Sequence, residues 1–271
     1  MGTIIAYRKG YTGKTAKVLA KALGADAIGL MAPRSRLHIN PTLLICWGVG
    51  VTESVGASLN AHCFASFDKR EAMRLFIRAG VLTPLLVTGE APYGFDTIWR
   101  PRHHSGGRDA IIVPEDARVE IPEGWFGVQF MPSDKEYRIH IAGGQVIFAQ
   151  RKVSEEGADP FIRSHNRGWR FVSFEPRNAE ALLYASAISA VRALGLHFAA
   201  VDVIHGPYGY AVLEANSAPG LEEGSLQKYV EYFRREENRY VEREDEGRVR
   251  VAPPAAPPAW TAAVVTTNNA G

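Results

Sequence analysis

The feature that most constrains this chain is a pair of acidic residues lodged inside two neighbouring apolar runs. Residues 199–205 read Ala-Ala-Val-Asp-Val-Ile-His and residues 211–216 read Ala-Val-Leu-Glu-Ala-Asn, with Gly206-Pro207-Tyr208-Gly209 between them. Two apolar runs rich in β-branched residues around such a turn predict a β-hairpin. Centred on Tyr208, it places Asp202 opposite Glu214, and Asn216 shares their face because side chains alternate along a strand. A carboxylate in an apolar strand is costly unless a cation or a metal accompanies it. One salt bridge to an arginine accounts for one acid but not for the trio. Two facing carboxylates and an amide oxygen form a hard-oxygen set suited to Mg²⁺, which also holds phosphate oxygens.

The first sixty residues have a strand–helix rhythm. Residues 3–7 are a short apolar run, residues 14–23 carry Thr15, Val18, Leu19 and Ala22 at helical spacing, and residues 27–30 and 43–47 are further strand candidates. The run 43–47 ends in Gly48-Val49-Gly50 and has the unbroken apolar character of a buried parallel strand. This predicts a small α/β lobe over residues 1–62. Residues 71–79 form a helical stripe of Ala72, Leu75, Phe76 and Ala79, closed by Gly80. Strands are expected at 97–101, 111–113 and 127–131, a hairpin at 137–152 around Gly143-Gly144, and a long helix at 179–194. Residues 234–250 are mostly charged with mixed sign, which reads as a solvated helix or linker, and 251–271 as a flexible Ala/Pro-rich tail.

Gly10-Tyr11-Thr12-Gly13-Lys14-Thr15 imitates the end of a phosphate-binding P-loop, but Arg8 occupies the position of the first required glycine. The segment is therefore read as a tight turn entering a helix. The formal charge of +2 is too small to argue for a nucleic-acid surface. Only Cys46 and Cys63 are present, so no disulfide framework is visible, and no apolar run is long enough to span a bilayer. A cytoplasmic protein is expected.

The segment Glu214-Ala-Asn216-Ser-Ala-Pro219-Gly220, with Asp202 twelve residues upstream, resembles the E-x-N-x-x-P-G segment of the ATP-grasp superfamily in its RimK-like ligase branch. Further segments agree in order: Asp68-Lys69 with Gly80-Val-Leu-Thr-Pro84; Trp99-Arg100-Pro101 before Ser105-Gly106-Gly107-Arg108; Val128-Gln129-Phe130-Met131; Glu136-Tyr137-Arg138-Ile139; Lys152-Val153; and Arg167-Gly168. The resemblance implies an ATP-grasp fold of two α+β lobes clasping ATP over residues 63–233, with the smaller lobe near 84–127, preceded by the Rossmann-like N-terminal lobe.

It also implies a ligase that joins a carboxylate to an amine through an acyl-phosphate, using ATP and Mg²⁺ or Mn²⁺. On that reading Asp202, Glu214 and Asn216 hold the metal. Arg100, with the glycine-rich loop of Ser105, Gly106, Gly107 and Arg108, meets the phosphates, and Gln129, Phe130 and Met131 line the adenine. Arg138, Lys152 and Arg167 hold the carboxylate and the developing oxyanion, with His165 as a candidate base. The family usually has lysine where Arg100 stands and often glutamate where Gln129 stands. The substrate is a small molecule, a peptide or a protein terminus. Rival readings are transfer to a thiol or nucleobase, a nucleotide-binding module without catalysis and, last, a nucleic-acid binder using the basic cluster around Arg100.

Overall fold

The computed structural model describes residues 2–52, 57–63, 68–87, 94–101, 110–117, 120, 122–159, 163, 167–175 and 180–245. The N-terminal part is built from β1 (Thr3–Arg8), α1 (Gly13–Leu23), β2 (Asp26–Leu30), β3 (Arg34–Arg36), β4 (Leu43–Trp47), β5 (Gly50–Thr52) and β6 (Ala57–Leu59). Four of these strands make a parallel sheet in the order β2-β1-β4-β6, and β3 pairs with β5. The unbroken apolar run of β4 is buried at every position, as a strand covered on both faces requires. Gly10 has φ +79° in the turn before α1, and Gly24 ends that helix at φ +69°, so the P-loop imitation is indeed a tight turn into a helix.

α2 (Lys69–Arg78) opens on Asp68, whose carboxylate accepts from the backbone N–H groups of Arg70 and Glu71. Then β7 (Leu86–Val87), β8 (Thr97–Pro101), β9 (Ile111–Val113) and β10 (Trp125–Gln129) form a four-stranded sheet in the order β7-β10-β8-β9. β10 lies two residues earlier than the sequence pattern places it.

The largest sheet follows. β11 (Lys135–Ala142), β12 (Gln145–Ser154), β13 (Trp169–Ser173), β14 (Phe198–Gly206) and β15 (Gly209–Asn216) assemble in the order β13-β12-β11-β14-β15, all antiparallel, with α3 (Ala181–Ala193) inserted before β14. The two faces of this sheet differ sharply. Tyr137, Ile139, Ile141, Val201, Val203, Val212 and Ala215 point to one side and pack with Leu183, Ala187, Ala190 and Val191 of α3. Glu136, Arg138, His140, Gln150, Lys152, Asp202 and Glu214 occupy the alternate positions and so share the opposite face.

α4 (Glu223–Asp245) runs unbroken across 233/234, where the charge pattern suggests a boundary. Its Tyr229, Tyr232 and Phe233 are buried against Trp47, Phe198, Ala142 and the first sheet. The mixed-charge run is thus the outer part of a docked helix up to Asp245; residues 246–271 lie outside the described residues.

Asn60 ties the first sheet to the largest one. It takes a left-handed conformation at φ 59°, its Oδ1 accepts from the N–H groups of His197 (2.8 Å) and Phe198 (3.4 Å), and its Nδ2 donates to the Phe198 carbonyl (2.8 Å). Asn60→Ala strands these backbone groups and removes a residue type that tolerates positive φ. We expect a loss of roughly 2–4 kcal/mol, since each buried group left unpaired costs about 1–3 kcal/mol, measured as a lowered urea midpoint at unchanged slope.

Candidate active site

A cavity of about 880 Å³ opens between the four-stranded and five-stranded sheets and reaches the C-terminal ends of β1 and β4. Apolar side chains from both sheets line it: Ile98 and Val128 of the smaller sheet and Ile204 and Leu213 of the larger, with Met73 and Met131.

Other parts of the wall are charged. Among the described residues seven cationic side chains line the cavity, Lys69, Arg100, Arg138, Lys152, Arg163, Arg170 and Arg8, against four carboxylates, Glu136, Asp202, Glu214 and Glu222. Three of those carboxylates are already paired. Arg138 donates to both oxygens of Asp202 (2.7 and 2.8 Å), its cross-strand partner on β14. Lys69 reaches Glu214 at 2.6 Å. Lys152 pairs closely with Glu136 and donates a second hydrogen bond to the Arg163 carbonyl at 2.7 Å. Phe171 lies beneath both cations, 4.4 Å from the Arg138 guanidinium carbon and 5.3 Å from the Lys152 ammonium.

These pairings set the charge states. Burial opposes the charged form of Arg138, yet the facing Asp202 holds its pKa above the ordinary value. Lys69 pulls the Glu214 carboxyl down to about 2 against the effect of burial. Burial raises the Glu136 pKa, and Lys152 partly offsets it. Burial likewise pushes His140 down to about 4.

Arg100 is different. Its side chain lies over the Phe126 ring at 5.0 Å, and its buried Nε has no hydrogen-bond partner. Burial lowers its pKa, opposed by the Glu214 charge. Arg163 stacks over Trp169 at 5.0 Å and donates to the Ser133 carbonyl, but its buried Nη1 is also unmatched. Among the described residues neither forms an ion pair with a carboxylate. Buried donors without acceptors are rare in folded proteins, so these cations ask for an anion in the cavity.

The structure brings together most of the residues singled out from sequence. Asp202 does face Glu214, Asn216 follows on the same side, and all three line the cavity with Arg100, Gln129, Phe130, Met131, Arg138 and Lys152. Asn216 Oδ1 accepts from Ala218 N–H at 3.0 Å. Arg167 is placed elsewhere: it is exposed, pairs with Asp159 at 2.5 Å, and does not line the cavity. The reason is local, because Asp159 sits where the chain folds back, its own N–H bonded to the Arg167 carbonyl. Ser105, Gly106, Gly107, Arg108 and His165 lie outside the described residues. The residues not foreseen are Arg8, Lys69, Glu136, Arg163, Arg170 and Glu222. For Glu136 the available signal was spacing, since it stands two positions before Arg138 and so shares its strand face.

Comparison with known proteins agrees with this architecture. Residues 128–232 match the RimK-like ATP-grasp domain. The chain carries a RimK-like ATP-grasp domain over these residues. It is 30% identical over 225 residues to a protein of Parasynechococcus marenigrum named probable alpha-L-glutamate ligase, covering 73% of this chain but 46% of that one. A protein of Shewanella amazonensis with a similar name is 27% identical over 210 residues, 69% of this chain and 68% of its own length. The chain therefore spans about half the length of the first of these relatives. Among solved structures, the ATP-grasp ligase PsnB with minimal precursor, Mg and ADP superimposes with a TM-score of 0.59 at 14% identity, covering 87% of this chain and 98% of PsnB. D-alanine–D-alanine ligase from Bacillus anthracis gives 0.58 at 12% identity, over 92% and 99% of the two chains. At such identities these two likenesses speak for the fold. Among the described residues no helix is long and apolar enough to cross a membrane.

The Glu214 pair yields a pH test. Its folded pKa of about 2 lies below its ordinary 4.5, so its contribution to stability is complete above about pH 4.5 and is lost as pH falls towards 2. Glu214→Gln is expected to flatten the fall in urea midpoint between those two pH values, leaving the profile at neutral pH parallel to that of the unaltered protein.

Proposed function

We propose that this protein is an ATP-dependent carboxylate–amine ligase that activates a carboxylate as an acyl-phosphate and passes the acyl group to an amine. The observation that carries the reading is the cavity itself, with Ile98, Val128, Ile204 and Leu213 in its apolar lining and, among the described residues, three more cations than carboxylates in its walls. That is the profile of a site for a heteroaromatic base joined to several phosphates.

In this reading the base lies between Ile98 and Val128 on one side and Ile204 and Leu213 on the other. The Gln129 and Phe130 N–H groups are already bonded to the carbonyls of Leu85 and Asp96, so carbonyls of this hinge meet the exocyclic amine of the base. The unmatched Arg100 faces the phosphates. Its bidentate fork suits phosphate oxygens, as the lysine more usual in the family would as a point charge.

Asp202, Glu214 and Asn216 suit Mg²⁺ in donor chemistry. Among the described residues no three His, Cys, Asp or Glu side chains gather as a metal site, so two carboxylates and an amide form an incomplete shell. An incomplete protein shell is what Mg²⁺ ordinarily uses when phosphate oxygens supply the remainder. Bound there, the ion supplies charge neutralisation to the phosphates. Arg138 and Lys69 hold the two carboxylates in place beforehand and limit their mutual repulsion.

The acceptor carboxylate must approach a triphosphate, anion to anion. Arg138, Lys152 and Arg163 are the cations positioned to hold it, with Arg163 in the role the sequence reading gave to Arg167. The same donors then face the oxyanion that forms when the amine attacks. Relatives named as alpha-L-glutamate ligases, and solved relatives holding precursor peptides, support an amino acid or peptide substrate. The two buried cysteines form no disulfide, which suits a reducing compartment such as the cytoplasm.

The test is ADP release against a panel of amino acids and peptides. We expect acceptor-dependent ADP formation that falls by about 10²–10³ or more in Glu214→Ala, the scale of losing one transition-state contact, with similar losses in Asp202→Ala and Asn216→Ala proteins that remain folded by circular dichroism. Equal turnover in folded Glu214→Ala would discard the metal assignment.

A further inference from the structure

We propose that the exposed face of α1 is a docking surface for an acidic segment of a polypeptide, held outside the cavity while another part of the same polypeptide enters it. The choice of a polypeptide as partner rests on the ligase reading of the cavity; the demand for an acidic partner rests on α1 alone.

The sequence concentrates one sign of charge here. The whole chain is nearly balanced, with 31 Lys and Arg against 29 Asp and Glu, yet residues 1–25 hold Arg8, Lys9, Lys14, Lys17 and Lys21 and no acidic residue. In α1, Ala16, Leu19 and Ala20 are buried, whereas Lys14, Lys17, Val18 and Lys21 are exposed. Positions 14, 17, 18 and 21 are three or four residues apart, so three ammonium groups and one apolar side chain share a stripe. At its far end the exposed Arg234 of α4 donates to the Ala22 carbonyl at 3.2 Å and adds a further cation.

The other charged helices treat their cations differently. On α2, Arg74 pairs with Glu71; on α4, Lys228 pairs with Glu231 and Arg239 with Glu236, each about one turn away. Among the described residues Lys14, Lys17 and Lys21 form no ion pair.

That arrangement works against the helix. Lys14 with Lys17 and Lys17 with Lys21 stand at the spacings where like charges repel. Lys14 lies in the first turn, where the helix dipole disfavours a cation, and no acid accompanies it there. The stripe breaks local rules for helix stability without a compensating partner in the fold, as is expected of a surface that serves binding. An acidic partner removes the repulsion.

Position ties the stripe to the site. Tyr11 and Thr12, just before α1, line the cavity, and Tyr11 is also 74% exposed, so it stands at the mouth. Lys14 follows two residues after Thr12. Along the axis Lys14 and Lys17 are about 4.5 Å apart and Lys17 and Lys21 about 6 Å. In an extended peptide, side chains on one face recur about every 6.6 Å. Acids at alternate positions of an extended segment therefore fall near successive lysines, and the flexible lysine stems take up the difference. Val18, 47% exposed, lies among them as an apolar contact.

The experiment is fluorescence anisotropy of the full chain with a labelled peptide of about ten residues alternating Asp and Ser, long enough to cover the stripe. The matching Asn–Ser peptide is the control. The acidic peptide should bind and the neutral one should not, and the affinity should fall as salt rises, because exposed charges are screened. Lys14→Gln, Lys17→Gln and Lys21→Gln together should weaken binding by about tenfold or more, the scale of three exposed ion pairs. The combined Arg74→Gln, Lys228→Gln and Arg239→Gln protein loses the same charge from paired positions and should bind as the unaltered protein does. The α1 variant should keep its affinity for a non-hydrolysable ATP analogue and unfold at an equal or higher urea midpoint, since repulsion along the helix is relieved. The proposal is overturned if the acidic peptide does not bind, if both triple variants weaken it equally, or if the α1 variant has a lower midpoint, which marks the lysines as structural. It is also overturned if single-stranded oligothymidylate or phosphatidylserine vesicles bind the stripe more tightly than the peptide. Failure of the unaltered protein to bind the ATP analogue would overturn the ligase reading, with peptide docking still measured directly.

Discussion

The ion pair between Arg138 and Asp202 is the interaction on which the rest of the site depends. The two residues are direct cross-strand partners on β11 and β14, and both oxygens of the carboxylate are engaged. Glu136 with Lys152 flanks them on one side and Glu214 with Lys69 on the other. A sheet face carrying this many charges can be partly buried only because each pair offsets most of the desolvation of its members; removing one member of such a pair is far more damaging than never having had it. The arrangement also makes the site ready for an anion. Asp202, Glu136 and Glu214 are paired with Arg138, Lys152 and Lys69, whereas Arg8, Arg100 and Arg163 in the same wall have no carboxylate partner among the described residues.

The N-terminal sheet is more than an appendage to this device. Trp47 at the end of β4 stacks on Phe198 at 5.4 Å and meets Tyr229 of α4 edge-on at 5.5 Å, and Tyr229 in turn touches the His140 ring. One aromatic cluster therefore joins the first sheet, the central sheet and the last helix. Asn60 and the contact of Thr3 with Glu237 fasten the same junction at its edges. The ends of β1 and β4 are consequently fixed relative to the charged face.

How much of this was legible in the sequence depended on periodicity. The hairpins, α3 and the acid pair were readable because alternation and turn residues are local signals. Lys69 was not, since its partner Glu214 is far away in the chain and a lysine at a helix start looks like any solvent-facing one. Arg163 and Arg167 stand in one polar, non-periodic stretch, where nothing local distinguishes the arginine that stacks on Trp169 from the one that turns to Asp159. β10 slipped because apolar residues continue past Gln129 to Phe130 and Met131. α4 was cut at residue 233 because its charges were read and its buried stripe of Tyr229, Tyr232 and Phe233 was not.

The facing of Asp202 and Glu214 has a subtler origin than the symmetry of a hairpin about Tyr208. The turn is shorter than that symmetry implies, with Gly206 paired to Gly209 and Val203 to Val212. Continued without interruption, this register would set Leu213 opposite Asp202 and turn Glu214 to the apolar face beneath α3. A bulge between Asp202 and Val203 inserts Leu213 as an extra residue and restores the pairing of Asp202 with Glu214. Because side chains alternate, that one-residue insertion moves Glu214 and Asn216 from the core side to the cavity side. Leu213 itself turns into the cavity beside Ile204 and Met131. The same irregularity thus contributes two parts of the cavity wall, the apolar Leu213 and a second carboxylate, Glu214, opposite Asp202, so the second acid of the polar face is there because the ladder is broken at that point.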